Sequence, residues 1–267
     1  MKTQQTWIQS PNSMLYAELY IPDVIPAPAI LICHGMNARG FHGLKIYRQL
    51  AETACEDGFV TLVFDFRGCG KSTGKFDYGV GEQQDVKCAL DYLASRQKVT
   101  RNVIFVVGHS LGGSVAPYVL RNEPRVKGLV LWSTPKNHNY NVKKFIAHTR
   151  GKLGLSLFRL FSWIDKLFDV SKVFKLEVYG VPLRPRYVRE RLMKLDECQA
   201  VSKLKSLPIL IVIGDHDTIV GVDEAQAILS SANEPKSLLI ISSADHIYRG
   251  KEDELIAETI KWIRKWK

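Results

Sequence analysis

Short, uniformly apolar runs alternate along this chain with stretches of helical periodicity. Ala29–Cys33, Val60–Phe64, Asn102–Val107, Gly128–Trp132, Pro208–Ile213 and Ser237–Ile241 each read as a strand. Leu44–Glu56, Gly81–Arg96, Ser114–Arg121, Asp223–Ser231 and the amphipathic Glu252–Trp266 fall between and after them at helical spacing. Ahead of the first run lies a hairpin signal: Thr6–Gln9, a turn at Ser10-Pro11-Asn12-Ser13, then Met14–Ile21. Strands with no polar face need cover on both sides. The pattern therefore predicts an α/β fold, a mostly parallel sheet with helices on both faces. Ligands are then expected beyond the carboxyl ends of the strands.

Between Trp132 and Pro208 the alternation breaks. A structureless loop of that length is out of place in a compact domain, so the segment is expected to fold as a helical cap. Leu153, Leu157, Leu160, Phe161, Ile164, Leu167 and Phe168 share one helical stripe, with Lys152, Arg159, Asp165 and Lys166 on the other face. A second helix is expected from Arg184 or Pro185 to about Asp196. The stripe packs on the main domain or roofs an apolar substrate pocket, and both can hold together. The organisation predicted is a core of residues 1–136 and 201–267 with a cap at 137–200.

Charge adds one feature. The net charge is +10, and residues 137–200 hold thirteen Lys and Arg against six Asp and Glu. A solvated, lysine-rich face accounts for this, and no nucleic-acid-binding signature accompanies it. The apolar stripe with its cationic flank also suits peripheral contact with an anionic bilayer. No apolar run is long enough to span one, and Met1–Thr6 leads into no apolar stretch of a secretory signal. Five scattered cysteines (33, 55, 69, 88 and 198) with no Cys-x-x-Cys pair argue for a reducing cytoplasm rather than a disulfide framework or zinc site.

The chemistry centres on Gly108-His109-Ser110-Leu111-Gly112-Gly113, set between a strand and a helix. Strand, Gly-x-Ser-x-Gly, helix describes a turn so tight that only glycines fit two residues either side of the serine, and it presents Ser110 as a nucleophile. A serine hydroxyl needs a base, a group to orient that base, and donors for the developing oxyanion. In the α/β-hydrolases, which this strand–turn–helix resembles, the partners follow in the order Ser, Asp or Glu, His. His246, in the loop after Ile241 and the only histidine beyond His216, fits the base. Two aspartates compete for the acid. Asp217 stands far enough round the turn after Gly214 to point back towards His246, whereas Asp215 fits a role in holding the turn. The backbone N–H groups of Leu111 and Met36 are the expected oxyanion donors. His34 reads as a turn-holding residue, and the ring of His109 should pack beneath the elbow. A metal site from Asp215, His216, Asp217 and His246 matches no common ligand spacing.

Three blocks, His34-Gly35-Met36, Asp65-Phe66-Arg67-Gly68-Cys69-Gly70-Lys71-Ser72-Thr73-Gly74 and Gly108–Gly113, together with the Gly214–Val220 turn and His246, resemble the α/β-hydrolase superfamily. Within it the chain looks like the serine-hydrolase branch of monoacylglycerol lipases, cinnamoyl and feruloyl esterases and related carboxylesterases. The resemblance implies an α/β-hydrolase fold and a Ser110–His246–Asp217 triad, with the Asp65 block as a structural loop near the site. One departure is that the loop His34–Gly40 lacks the longer glycine run of some lipases. Arg39 in that loop either favours a substrate carboxylate or phosphate or faces solvent. The expected function is hydrolysis of a small-molecule carboxylic ester, with a short to medium or aromatic acyl group, through an acyl-enzyme and without a cofactor. A peptidase or thioesterase on the same fold, or a non-catalytic binding protein using the basic cap, are the alternatives.

Overall fold

Side-chain alternation along the strands sorts the apolar residues onto two faces of one sheet. The computed structural model describes residues 1–167, 170 and 176–267, with the side chains at 145, 148–152 and 176 outside that description. The strands are β1 (Lys2–Ser10), β2 (Ser13–Ile21), β3 (Ala27–Cys33), β4 (Val60–Phe64), β5 (Val99–His109), β6 (Val126–Trp132), β9 (Ile209–Gly214) and β10 (Lys236–Ile241). They form a sheet in the order β1-β2-β4-β3-β5-β6-β9-β10. From β4 to β10 every neighbouring pair is parallel. Only β2, against β1 and β4, runs antiparallel. The expected N-terminal hairpin is thus the sheet's antiparallel edge.

Leu31, Cys33, Leu62, Phe64, Ile104 and Val106 point to one core, which is covered by α2 (Val80–Ala94), α3 (Leu111–Leu120) and α7 (Val222–Ser231). Ile30, Ile32, Val63, Phe105 and Val107 point to the other, beneath α1 (Ile46–Glu56) and α8 (Glu252–Arg264). Both faces of these strands are apolar, so a one-residue register slip would keep their side chains buried but exchange the two cores, and the resulting misfit typically costs about 1–3 kcal/mol per overpacked side chain.

The Asp65 block is a structural loop. The Asp65 carboxylate accepts hydrogen bonds from the Phe41 and Lys71 N–H groups, both at 2.9 Å, and Gly70 N–H donates to the Ala38 carbonyl at 2.9 Å. Arg67 forms a buried pair with Asp85 at 2.7 Å. The loop after β3 is thereby fixed from outside.

Between β6 and β9 the chain forms α4 (His138–Ile164), a hairpin of β7 (Leu176–Val178) and β8 (Val181–Leu183), α5 (Pro185–Glu190) and α6 (Glu197–Val201). Two expectations are corrected here, those for the apolar stripe and for the second helix. The helix starts at His138, well before the apolar stripe, because Asn137 caps it by accepting from the Tyr140 N–H at 2.7 Å. Within the stripe Leu157 and Phe161 pack on the core, but Leu153, Leu160 and Leu167 are exposed, by 52–71%. The buried line runs instead through Ile146 and Phe158. Phe168 and the side chain of Lys152 lie outside the described residues. The expected second helix is broken: a 3-10 turn occupies Leu192–Lys194, and Asp196 caps α6 through the Gln199 N–H rather than continuing a helix. No helix among the described residues is long and apolar enough to cross a membrane.

Candidate active site

Ser110 is the single residue between β5 and α3, and its backbone lies at φ 50°, ψ −112°. That is a strained conformation for a residue with a side chain, and the surroundings hold it there. Ser110 N–H donates to the Trp132 carbonyl at 2.8 Å, and the Ser110 carbonyl accepts from the Ser114 N–H at 2.9 Å. A Cβ on Gly108 would meet the Gly113 nitrogen at 2.6 Å, and one on Gly112 would meet the Cys33 carbonyl oxygen at 2.2 Å. The two glycines are there because strand, turn and helix backbones occupy the space of a side chain.

The sheet brings the distant partners to this turn. His246 Nε2 lies 3.3 Å from Ser110 Oγ, and His246 Nδ1 lies 2.9 Å from Asp217 Oδ2. Asp217 and His246 are both buried. The other Asp217 oxygen, Oδ1, accepts the Ile219 and Val220 N–H groups, each at 2.9 Å. Burial alone would raise the Asp217 pKa. The hydrogen bond and charge of His246, with the Val220 amide and Ser133, outweigh it and hold the carboxyl below its usual range. Asp215, the competing acid, is exposed and accepts the Ser243 N–H at 2.6 Å, which pins the turn.

Met36 and Leu111 line the same cavity as Ser110 and His246. Neither backbone N–H has a protein acceptor among the described residues, and Leu111 opens α3, where the helix dipole favours negative charge. Two free donors beside a serine held against an imidazole can stabilise charge on a carbonyl oxygen. The cavity measures about 310 Å³. Leu44, Val142, Leu183, Val188, Leu192 and Ile219 make most of its wall apolar, and His138, Asn141, Glu177 and Tyr179 supply polar groups. Its α4 lining comes from the first turns, not from the stripe. Arg39 is exposed and does not line it.

His34 is buried and holds two loops together. Its Nε2 accepts the Phe66 N–H at 3.0 Å, so Nδ1 carries the proton to the Gly35 carbonyl at 2.6 Å. Burial lowers its pKa to about 4. His109 packs under the elbow, its ring centroid 5.2 Å from that of His246. No group of three His, Cys, Asp or Glu side chains among the described residues is arranged to hold a metal.

The sequence reading missed Tyr47 and His138. Tyr47 sits at helical spacing with Leu44 and Leu50 and reads as core; only the position of its hydroxyl, against Gly35 and His109, marks it out. His138 sits in the unpatterned start of the insertion, where no local signal pairs it with Ser114 at 2.9 Å or Glu197 at 3.3 Å.

Residues 25–248 match the family described as Serine aminopeptidase, S33. An uncharacterized protein of Rickettsia prowazekii is 24% identical over 247 residues, covering 90% of this chain and 78% of that protein. Among solved structures, Est1E from Butyrivibrio proteoclasticus with ferulic acid bound superposes with a TM-score of 0.75 at 23% identity, covering 98% of each chain. The DcsB complex with its substrate analogue gives 0.77 at 19% identity and covers 99% of each. The architecture is that of the α/β hydrolases.

Proposed function

The chain belongs to the Serine aminopeptidase, S33 family, and on that premise we propose that it is a serine esterase acting on small carboxylic esters. Ser110 Oγ attacks the ester carbonyl carbon while His246 Nε2 takes the hydroxyl proton. The carbonyl oxygen becomes an oxyanion bound by the Met36 and Leu111 N–H groups. His246 then gives its proton to the departing alcohol as the C–O bond breaks, which leaves the acyl group on Ser110. Water, deprotonated by His246, attacks this acyl-enzyme and releases the acid. Asp217 keeps the His246 proton on Nδ1 and offsets the imidazolium charge. The observation that carries this proposal is the run of contacts from Ser110 through His246 to Asp217, at 3.3 and 2.9 Å, on the wall of a cavity that Met36 and Leu111 also line.

Residues 137–200 serve in it as a cap whose Val142, Leu183, Val188 and Leu192 face the acyl group. A mainly apolar cavity of about 310 Å³ lies at the small end of ligand sites and suits a short to medium or aromatic acyl group; the ferulic acid in Est1E supports the aromatic case. The five free cysteines fit a cytoplasmic setting. The cationic cap and its exposed Leu153, Leu160, Trp163 and Leu167 are consistent with peripheral contact with an anionic bilayer.

A second reading, aminopeptidase, is favoured by the family's description and by Glu177, a carboxylate on the cavity wall that could meet a substrate amino group. The test is labelling with a fluorophosphonate probe and turnover of p-nitrophenyl, feruloyl and monoglyceride esters beside aminoacyl arylamides. Labelling at Ser110 and ester turnover abolished in Ser110→Ala are expected. Turnover of arylamides alone would move the assignment to the aminopeptidase, and normal ester turnover by Ser110→Ala would end it.

A further inference from the structure

Tyr47, on the inward face of α1, is fully buried and takes no part in the steps above. Its hydroxyl oxygen accepts the Gly35 N–H at 2.9 Å and lies 2.6 Å from His109 Nδ1. His109 Nε2 lies 2.9 Å from the His246 carbonyl oxygen. The direction of these bonds follows from chemistry. A carbonyl only accepts, so Nε2 carries the His109 proton and donates it to His246. Burial first, then the nearby His246, lowers the His109 pKa to about 3, so the ring is neutral and Nδ1 accepts from the Tyr47 hydroxyl.

These bonds join three separate segments. Gly35 directly precedes Met36, His109 directly precedes Ser110, and His246 is the base itself. A Cβ on Gly35 would lie 3.0 Å from His109 Nδ1 and 3.3 Å from Ser110 Cβ, so the loop after β3 is pressed onto the elbow. We propose that Tyr47 and His109 are positioning residues that hold the Met36 amide and the His246 ring in register with Ser110. The relay acts through the backbone on both sides, and its neutral ring sets no second cation beside the imidazolium formed at His246. This inference rests on the assignment of Ser110, His246 and Met36 above.

Tyr47→Phe keeps the ring and removes the hydroxyl, leaving the Gly35 N–H without its acceptor and His109 Nδ1 without its donor. Expressed per fluorophosphonate-titrated site, kcat for a p-nitrophenyl ester should fall about 10- to 100-fold with KM changed by less than about two-fold, the effect of a small misplacement of reacting groups. His109→Ala should act similarly, and the double variant should lose no more than the worse single, because one chain is broken once. His109→Gln, whose amide can both donate and accept, should recover part of the loss; that comparison decides the matter if Tyr47→Phe does not fold. Wild-type kcat per titrated site in Tyr47→Phe, or losses that multiply in the double variant, would overturn the relay. So would a drop in titratable sites with kcat per site unchanged. Ser110→Ala separates the two levels. If it is inactive while Tyr47→Phe is normal, the relay alone fails; if it turns over normally, the hydrolase assignment fails as well.

Discussion

Asp217→Asn probes the orientation of His246 with almost no change of shape. In the native site Asp217 Oδ1 accepts two backbone N–H groups and Oδ2 faces His246 Nδ1. An asparagine must choose. With its oxygen in the Oδ1 place, the Ile219 and Val220 amides stay satisfied, but the NH2 group points at Nδ1. The imidazole then carries its proton on Nε2, against Ser110, and cannot act as base. Flipping the amide restores the productive tautomer but sets NH2 against two backbone donors, one buried and one part-buried, at a cost of up to about 1–3 kcal/mol each. The productive arrangement is therefore disfavoured by up to about 2–6 kcal/mol, and the carboxylate charge that would offset the imidazolium is gone. A loss of about 10³- to 10⁴-fold in kcat/KM is expected, of the size seen when a triad histidine is held in the wrong tautomer. The assay is p-nitrophenyl ester hydrolysis at pH 8, with the thermal midpoint measured alongside to show the variant is folded. Asp215→Asn is the control: its amide oxygen can still accept the Ser243 N–H, so activity should change by less than about two-fold. Retention of more than about a tenth of wild-type kcat/KM by Asp217→Asn, or an equal loss in Asp215→Asn, would refute the assignment of the acid.

Three further outcomes concern the framework of the site. Gly112→Ala drives a methyl group to 2.2 Å from the Cys33 carbonyl oxygen; a loss of about 1–3 kcal/mol or more is expected in urea unfolding, and a neutral result would contradict the packing of the elbow. Asp85→Ala leaves the Arg67 guanidinium buried without its carboxylate and should cost about 3–5 kcal/mol in the same assay. Glu197 is buried beside His138, and burial raises its pKa to about 8 from an ordinary 4.5 while lowering that of His138 to about 4. The folded chain thus keeps a proton that the unfolded chain releases, so this group's contribution to stability is complete below about pH 4.5 and is lost as pH rises through about 8. Glu197→Gln removes that titration. Its thermal midpoint should match wild type near pH 4.5 and exceed it increasingly towards pH 8–9; destabilisation at neutral pH would mean an ionic His138–Glu197 pair instead.

Much of this architecture is legible in the order of residues, because strands buried on both faces leave uninterrupted apolar runs and the helices between them leave a period. Ser110, Asp217 and His246 could be singled out as candidates for a related reason. An elbow demands glycines at fixed offsets, and each partner belongs in the loop after a recognisable strand. Spacing after Gly214 already favoured Asp217 over Asp215, and the fold shows the physical difference: the turn directs the Asp217 carboxylate inward to His246 and leaves Asp215 in solvent. The insertion was harder, because its helices are set by caps and by contact with the core. Asn137 starts α4 and Asp196 starts α6, while Leu153, Leu160 and Leu167 share a stripe that the core never covers. The polar contacts around the site belong wholly to tertiary structure. Gly35, Tyr47, His109 and His246, like Ser114, His138 and Glu197, meet only after the sheet has closed the distances between them. A hydrogen bond between side chains far apart in the chain leaves no period and no spacing to read. Its geometry exists only once hydrophobic burial has fixed the backbones that carry it.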